Sequence, residues 1–431
     1  MIDRTIKPEI SDISGLVVPE VKHEVLRNGM ELHTFKAGST PLVDLSFLGH
    51  VGKMDQTVPF QNTFTGDQLK SGVKGKTTNE VAEIFDFYGA AMFSNPYFNA
   101  TEIKVTVLAH QLKNVIALIR DCLFFPTFDE NELVRRKKQM RLRLEQNLKQ
   151  PKYVAAQEES HLLLGDELWV RLENKVEDCD KVSVDDLKRH HSSFYYPENI
   201  EIFLGGYVTE DVVSLVKDTF EEVEASGKSR HKGEKPAAAP KEIQTKVTNV
   251  GGVQSAVRMA AVCDKNNGEF PFLLRFVSFL LGGSLTSRLA PIREDFGYTY
   301  GIYSSVGVEG GYNVLRVYSN CDNKYAKPLV DEVYNQFNRL QSEPVTAEEL
   351  QKAKNLYMGE MLEAGSVQTA WIDTLIGNVI QYEAAPRDFS YLLEQEKMCR
   401  TLTLQEVNDK CTEILKKGRF FEVVAGKPVG F

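Results

Sequence analysis

Apolar and polar residues alternate in ways that divide the chain into elements. Residues 100–108 (ATEIKVTVL) and 312–319 (YNVLRVYS) alternate with period two, which predicts half-buried strands. Each leads into an amphipathic stretch of helical period, 111–124 or 324–340, and then to a proline, Pro126 or Pro344. A second helix follows in both places, with Glu132-Leu133 and Lys137 in one and Glu349-Leu350 and Lys354 in the other. Leu133, Met140, Leu144 and Leu148 mark the buried stripe of the first of these. Leu133 and Leu350 stand 217 residues apart, about half of the 431-residue chain, so two copies of one α/β unit of roughly 200 residues are the simplest account.

Other elements are punctuated clearly. Residues 24–35 (EVLRNGMELHTF) predict a hairpin around Asn28-Gly29, and 42–50 the next strand. Ser183 opens a helix with Asp185 and Asp186 in its first turn, Tyr195-Tyr196-Pro197 stops it, and 200–204 follows as a buried strand. Between the two units, residues 226–246 have no apolar period and carry six Lys/Arg and two Pro. That composition reads as a solvated tether, with a basic docking arm as the alternative. The organisation expected is therefore 1–225, a linker over 226–246, and 247–431.

Composition narrows the function classes. Single cores stop growing at roughly 250–300 residues, so more than one domain is required. With 51 Lys+Arg against 60 Asp+Glu, the net charge of −9 argues against nucleic acid or anionic lipid as partner. Met1 to Pro19 lacks a basic then apolar leader pattern, and no run of 18 uncharged apolar residues occurs, so a soluble cytoplasmic chain is expected. Cys122, Cys179, Cys263, Cys321, Cys399 and Cys411 are too scattered for a zinc ribbon and read as buried thiols in a reducing compartment.

The commonest catalytic signatures are missing. HExxH and HxxEH, which place two histidines and a base on one helical face, do not occur, nor do Gly-x-Ser-x-Gly, Walker or dinucleotide glycine patterns. His190 and His191 are adjacent and point apart on a helix, and Glu158 with His161 reads as a surface ion pair or hydrogen bond.

The order of segments nevertheless resembles the insulinase and pitrilysin-like zinc metallopeptidases, in particular short members such as mitochondrial processing peptidase. The resemblance runs through Leu26-Arg27-Asn28-Gly29-Met30, Gly52-Lys53-Met54-Asp55, and Tyr195-Tyr196-Pro197-Glu198-Asn199 followed by Ile202-Phe203-Leu204-Gly205-Gly206. Its strongest part is Leu280-Leu281-Gly282-Gly283-Ser284-Leu285-Thr286-Ser287-Arg288-Leu289, which is similar to the family's L-G-G-G-x-x-S-R-L. This segment runs into Ile292-Arg293-Glu294 and Gly297-Tyr298-Thr299-Tyr300, where the family places an arginine and a tyrosine seven apart. The resemblance implies an α+β fold of two homologous domains closing as a clamshell, each a mostly antiparallel sheet packed with helices. It also implies that Arg293 and Tyr300 hydrogen-bond substrate beside the scissile bond, with Gly282, Gly283 and Ser284 lining the substrate site.

The departure lies at the metal. Where the family carries H-x-x-E-H this sequence has Thr63, Gly66 and Asp67, and the further zinc glutamate is best matched by Glu145, 78 residues after Asp67, with Lys138 seven residues earlier in place of another glutamate. A hydroxyl, one aspartate and a lysine do not make a zinc site. The cationic run Arg135, Arg136, Lys137, Lys138, Arg141, Arg143 either opposes a dication or is a solvated face. The resemblance thus implies a subunit without zinc of its own. It would pair with a zinc-bearing homologue, or with a second copy of itself, around an unfolded peptide, and residues 92–97, with Pro96, are a candidate sheet edge for that peptide. The alternative is a non-enzymatic scaffold or peptide-binding homologue of the same fold.

Overall fold

The hairpin expected over 24–35 forms around Asn28-Gly29. Gly29 takes φ 86°, a left-handed value that suits glycine, and the Asn28 amide donates to the Phe220 and Val223 carbonyls at 2.8 and 2.9 Å. In this computed structural model the described residues are 15–169, 172, 175–233, 243–284, 286–364, 370–382 and 384–431. The first fourteen residues, the middle of the expected tether (234–242) and Leu285 of the glycine motif lie outside the described residues.

The first sheet comprises β1 (Val21–Val25), β2 (Glu31–Phe35), β3 (Leu42–Gly49), β4 (Ala91–Pro96), β5 (Thr101–Leu108) and β6 (Ile200–Gly206), in the order β1-β2-β6-β3-β5-β4. The second comprises β7 (Thr245–Asn249), β8 (Gln254–Lys265), β9 (Thr299–Glu309), β10 (Tyr312–Asp322) and β11 (Phe421–Gly426), in the order β7-β11-β8-β10-β9. With β1 set aside, the two orders map strand for strand. Even the parallel pair, β2 with β6 and β7 with β11, falls at the same place, while the remaining pairs are antiparallel.

The helices repeat as well. The first half carries α1 (Gln61–Gln68), α2 (Thr78–Tyr88), α3 (Leu112–Phe124), α4 (Glu130–Asn147), α5 (Pro151–Trp169), α6 (Val184–Phe194) and α7 (Glu210–Phe220). The second carries α8 (Phe272–Gly282), α9 (Ala290–Glu294), α10 (Ala326–Ser342), α11 (Ala347–Ala364), α12 (Ala370–Gln381), α13 (Ser390–Thr401) and α14 (Leu404–Ile414). Where the sequence supplies a cap the helix starts there: Ser183 Oγ accepts from the Asp186 amide while the Asp186 carboxylate accepts from the Ser183 amide, which opens α6.

Strand alternation decides what each sheet face meets. Ile103, Val105 and Val107 of β5 and Ile200, Ile202 and Leu204 of β6 turn toward a core completed by α3 and α7. Val257, Met259 and Ala261 of β8 and Leu315 and Val317 of β10 do the same toward α8, α10 and α14. The opposite faces are covered by exchange. From the first half, α5 lays Val154, Ala155 and Leu163 on Ala256, Ala260, Val314, Phe421 and Val423 of the second sheet. In return, α12 lays Trp371, Ile372, Leu375, Ile376 and Val379 on Phe35, Leu48 and Phe203 of the first. Those five α12 side chains, at about 1.5–3 kcal/mol each, are worth on the order of 10 kcal/mol of gross burial, an upper figure before entropy.

Ion pairs follow the same exchange. Glu159 of α5, 2% exposed, joins Arg258 of β8 at 2.6 Å and Arg316 of β10, and Lys104 of β5 joins Asp373 of α12.

The expected linker is partly structured. β7 starts at Thr245, inside it, and its first residues are docked on the first half rather than free in solvent. Tyr196 Oη donates to the Ser229 carbonyl at 2.8 Å, Arg230 pairs with Glu31 at 2.8 Å, and the His231 ring lies 2.7 Å from Asp55. The six cysteines are free thiols, five of them buried and Cys263 half-buried.

Candidate functional site

Almost all of α1 is buried, because its polar residues are spent on neighbouring elements. Gln61 donates to the Asp186 carbonyl at 2.8 Å, Asn62 donates to Thr101 Oγ1 at 2.9 Å, and the His190 ring meets Asn62 Oδ1 at 3.0 Å. Thr63 and Gly66 are buried and Asp67 is half-buried. Gly66 lies hard against β4: a Cβ there would overlap Ser94 Oγ and come within 3.1 Å of Ser94 Cβ. The position where the resemblance requires a glutamate is therefore closed as well as empty of a carboxylate.

The charges nearby are wrong for a dication. Lys70 donates to the Met92 carbonyl at 2.7 Å, and burial followed by the Arg136 charge pushes its pKa down, with Asp67 pulling the other way. On α4, Glu132, Leu133 and Leu144 are the buried positions, while Lys138 and Glu145 are exposed. Glu145, matched by spacing to the family's further zinc glutamate, thus lies on the exposed side of α4. The cationic run is largely neutralised locally, since Arg135 and Arg136 clamp Glu132 and Arg141 pairs with Asp180. A hydroxyl, a half-buried aspartate and flanking cations do not fit zinc at Thr63, Gly66 and Asp67.

Arg293 lies in the last turn of the short α9, and Tyr300 is the second residue of β9, an outer strand of the second sheet. Both are exposed, Tyr300 to 93%, and among the described residues neither has a hydrogen-bond or ion-pair partner. Phe296 and Tyr303 are exposed as well. The glycines before it have a packing explanation of their own. A Cβ on Gly282 would come within 2.5 Å of the Ser304 amide nitrogen, so this glycine lets α8 end tightly on β9, while one on Gly283 would come within 2.8 Å of Phe279 Cα in the last turn of α8 itself. Ser284 Oγ lies 3.4 Å from Thr286 Oγ1. The candidate peptide edge is an outer strand too: β4 closes its side of the first sheet and ends at Pro96.

Glu158 and His161 do not pair with each other. The His161 ring meets Asp166 at 2.7 Å, while Glu158 accepts from Thr248 at 3.3 Å. Sequence reading also missed a cluster on the crossed face of the first sheet. Glu201 of β6, fully buried, is met by the His50 ring at 2.7 Å, Arg230 at 3.2 Å, and His33 and Arg387 at 3.3 Å. Burial alone would raise its carboxyl pKa; the imidazoles of His33 and His50 and the Arg387 charge outweigh that and hold it far below the usual carboxylate range. The signal available in sequence was Glu31 and His33 two apart, with the hairpin register bringing His23 opposite.

Comparison with known proteins bears on the family and the fold. A family profile described as "Peptidase M16 inactive domain" matches residues 181–357, a span that includes Arg293 and Tyr300 and leaves out α1. The protein named uncharacterized zinc protease YmxG of Bacillus subtilis (strain 168) is 24% identical over 298 residues, covering 68% of this chain and 71% of its own. Among solved structures, a peptidase M16 inactive domain from Pseudomonas fluorescens has a TM-score of 0.83 at 22% identity, over 95% of this chain and 98% of that one. A protease from Helicobacter pylori has a TM-score of 0.82 at 16% identity, over 95% and 100% respectively. These two structures speak for the fold. Among the described residues no helix is long and apolar enough to cross a membrane.

Proposed function

We infer, from the premise that the chain belongs to the insulinase-like M16 peptidase family, that it is the non-zinc subunit of a two-chain peptidase. In this reading it lends Arg293 and Tyr300 to a peptide held at the zinc of a homologous subunit. The carrying observation is that both side chains are exposed and without a partner among the described residues. A guanidinium fork and a phenol donate to a peptide carbonyl, and such donors gain most as negative charge develops on that oxygen. The edge of β4 offers main-chain groups to an extended peptide. Activation of water belongs to the partner's zinc and its glutamate. In this chain Thr63, closed Gly66 and Asp67 take no part in it.

The test is reconstitution with a zinc-bearing homologue, followed by peptide-cleavage kinetics for Arg293→Ala and Tyr300→Phe. Loss of one oxyanion donor costs about 100- to 1000-fold in kcat, which sets the scale expected. Since both residues are exposed, melting temperatures should not move. Full turnover in both variants would discard the donor role and leave the scaffold or peptide-binding reading in its place. Sizing of the isolated chain separates a homodimer from a subunit that assembles only with the homologue.

A further inference from the structure

We propose that the β1–β2 hairpin carries a divalent-cation site of the zinc class, with His23, Glu31 and His33 as its protein ligands. This goes beyond the two-chain reading, does not rest on it, and departs from the expectation that the chain holds no metal.

Hairpin register builds the site. His23 stands directly across from His33, and Glu31, two residues before His33 on β2, projects from the same face. One ligand atom from each lies within 4.8 Å of the others. His23 Nε2 is 3.3 Å from Glu31 Oε2, and His33 Nε2 is 3.7 Å from the same oxygen. Ligands about 2.0–2.1 Å from a tetrahedral ion stand roughly 3.3–3.4 Å apart, and the two imidazole–carboxylate separations are near that spacing. A fourth corner remains for water.

The second observation is independent of that spacing. His33 is 3% exposed and sandwiched between the rings of His23 and Phe203, each with its centroid 4.7 Å away. Neither of its ring nitrogens makes a hydrogen bond, although Glu201 Oε2 approaches Nε2 to 3.3 Å. A buried imidazole with carboxylates gathered around one nitrogen, outside hydrogen-bonding geometry, is arranged as ligands around a shared cation are.

The surroundings orient the ligands. Arg230 holds Glu31 by its other oxygen, Oε1, at 2.8 Å, which leaves Oε2 to the imidazoles. Glu201 stands behind, tied to Arg230, Arg387 and His50. The two guanidiniums set the affinity below that of a purely anionic cage. Two imidazoles and one carboxylate select Zn2+ or Co2+ over Mg2+ or Ca2+.

The test uses the full chain without a histidine tag, stripped by chelation and titrated with Co2+, whose visible bands report tetrahedral coordination. About one equivalent should bind and be displaced by Zn2+. His23 is exposed, so His23→Ala should keep the apo melting temperature yet weaken binding by more than the roughly 10- to 100-fold that losing an outer-shell partner costs. Glu31→Gln should do the same, and Asp67→Ala should leave binding unchanged. The proposal is overturned if stoichiometric Co2+ gives no tetrahedral bands, or if they persist in His23→Ala. Bands lost in Asp67→Ala instead would put the ion on α1, overturning this site and the non-zinc reading together. Loss confined to His23→Ala and Glu31→Gln supports the site whatever the peptide kinetics show.

Discussion

Gly66→Ala tests directly whether the peptidase metal position has been closed. Inside an ordinary helix, glycine to alanine stabilises by about 0.8–1 kcal/mol, because alanine has less backbone freedom to lose. Here the added methyl overlaps Ser94 Oγ, sits 3.1 Å from Ser94 Cβ and reaches ordinary contact with Thr101 Cγ2 at 3.8 Å. Turning the hydroxyl away does not relieve the Cβ contact, and overpacking of this kind costs about 1–3 kcal/mol. The packing term wins, and a net loss of about 1 kcal/mol is expected. Ser94→Ala removes the overlapped atom, and no hydrogen bond goes with it, since the buried Ser94 Oγ has no partner among the described residues. Ser94→Ala leaves the 3.1 Å Cβ contact in place, so Gly66→Ala should lose less stability in that background than beside Ser94, a coupling of up to about 1 kcal/mol. Urea unfolding of the four members of the cycle, followed by tryptophan fluorescence, measures it. A Gly66→Ala protein more stable than the parent, with Ser94 in place, would falsify the closure.

Glu159→Ala should cost about 3 kcal/mol, the low end for breaking a buried ion pair, because Arg316 keeps Glu309 at 2.8 Å while Arg258 loses its carboxylate; a loss under about 1 kcal/mol in urea would remove the crossed ion pairs from the account of what joins the halves. His190 and His191 are both pushed down to about 4, chiefly by burial, with the His191 charge adding to the effect on His190. The unfolded chain takes up these protons below about 6.5 and the folded one only near 4. Stability is therefore full above the unfolded value and falls with pH through that window, by about 2 kcal/mol per histidine at pH 5. Urea midpoints at pH 7.5 and 5 should show the drop, and a His190→Asn/His191→Gln double variant with the same slope would contradict it.

The internal duplication was legible because helical and strand periods repeat with the same punctuation. α4 and α11 begin and end 217 residues apart, the spacing read from Leu133 and Leu350. The hairpin turn, the Ser183 cap and the buried 200–204 strand were equally plain, since each depends on residues within one turn of one another. The exchange of α5 and α12 was not legible, because hydrophobic periodicity marks a buried face without naming the sheet that buries it. The site divides along the same line. Loss of the metal motif could be seen at Thr63, Gly66 and Asp67, yet its closure depends on Ser94, brought in by a strand 28 residues later. Glu145 was matched by spacing alone, and spacing does not say which side of α4 it occupies. The His23, Glu31 and His33 group is brought together only by strand register, and Glu201 reaches it from β6 through parallel pairing.

The crossed helices carry a lesson about origin. A single unit of this kind, made alone, would leave one side of its sheet bare of the helix that covers it, because that helix reaches outward to a second sheet. Two separate units could shield one another only by trading helices, as in a domain-swapped dimer. Fusing them head to tail would convert that trade into an intramolecular one, after which neither half could be cut away without stripping the other.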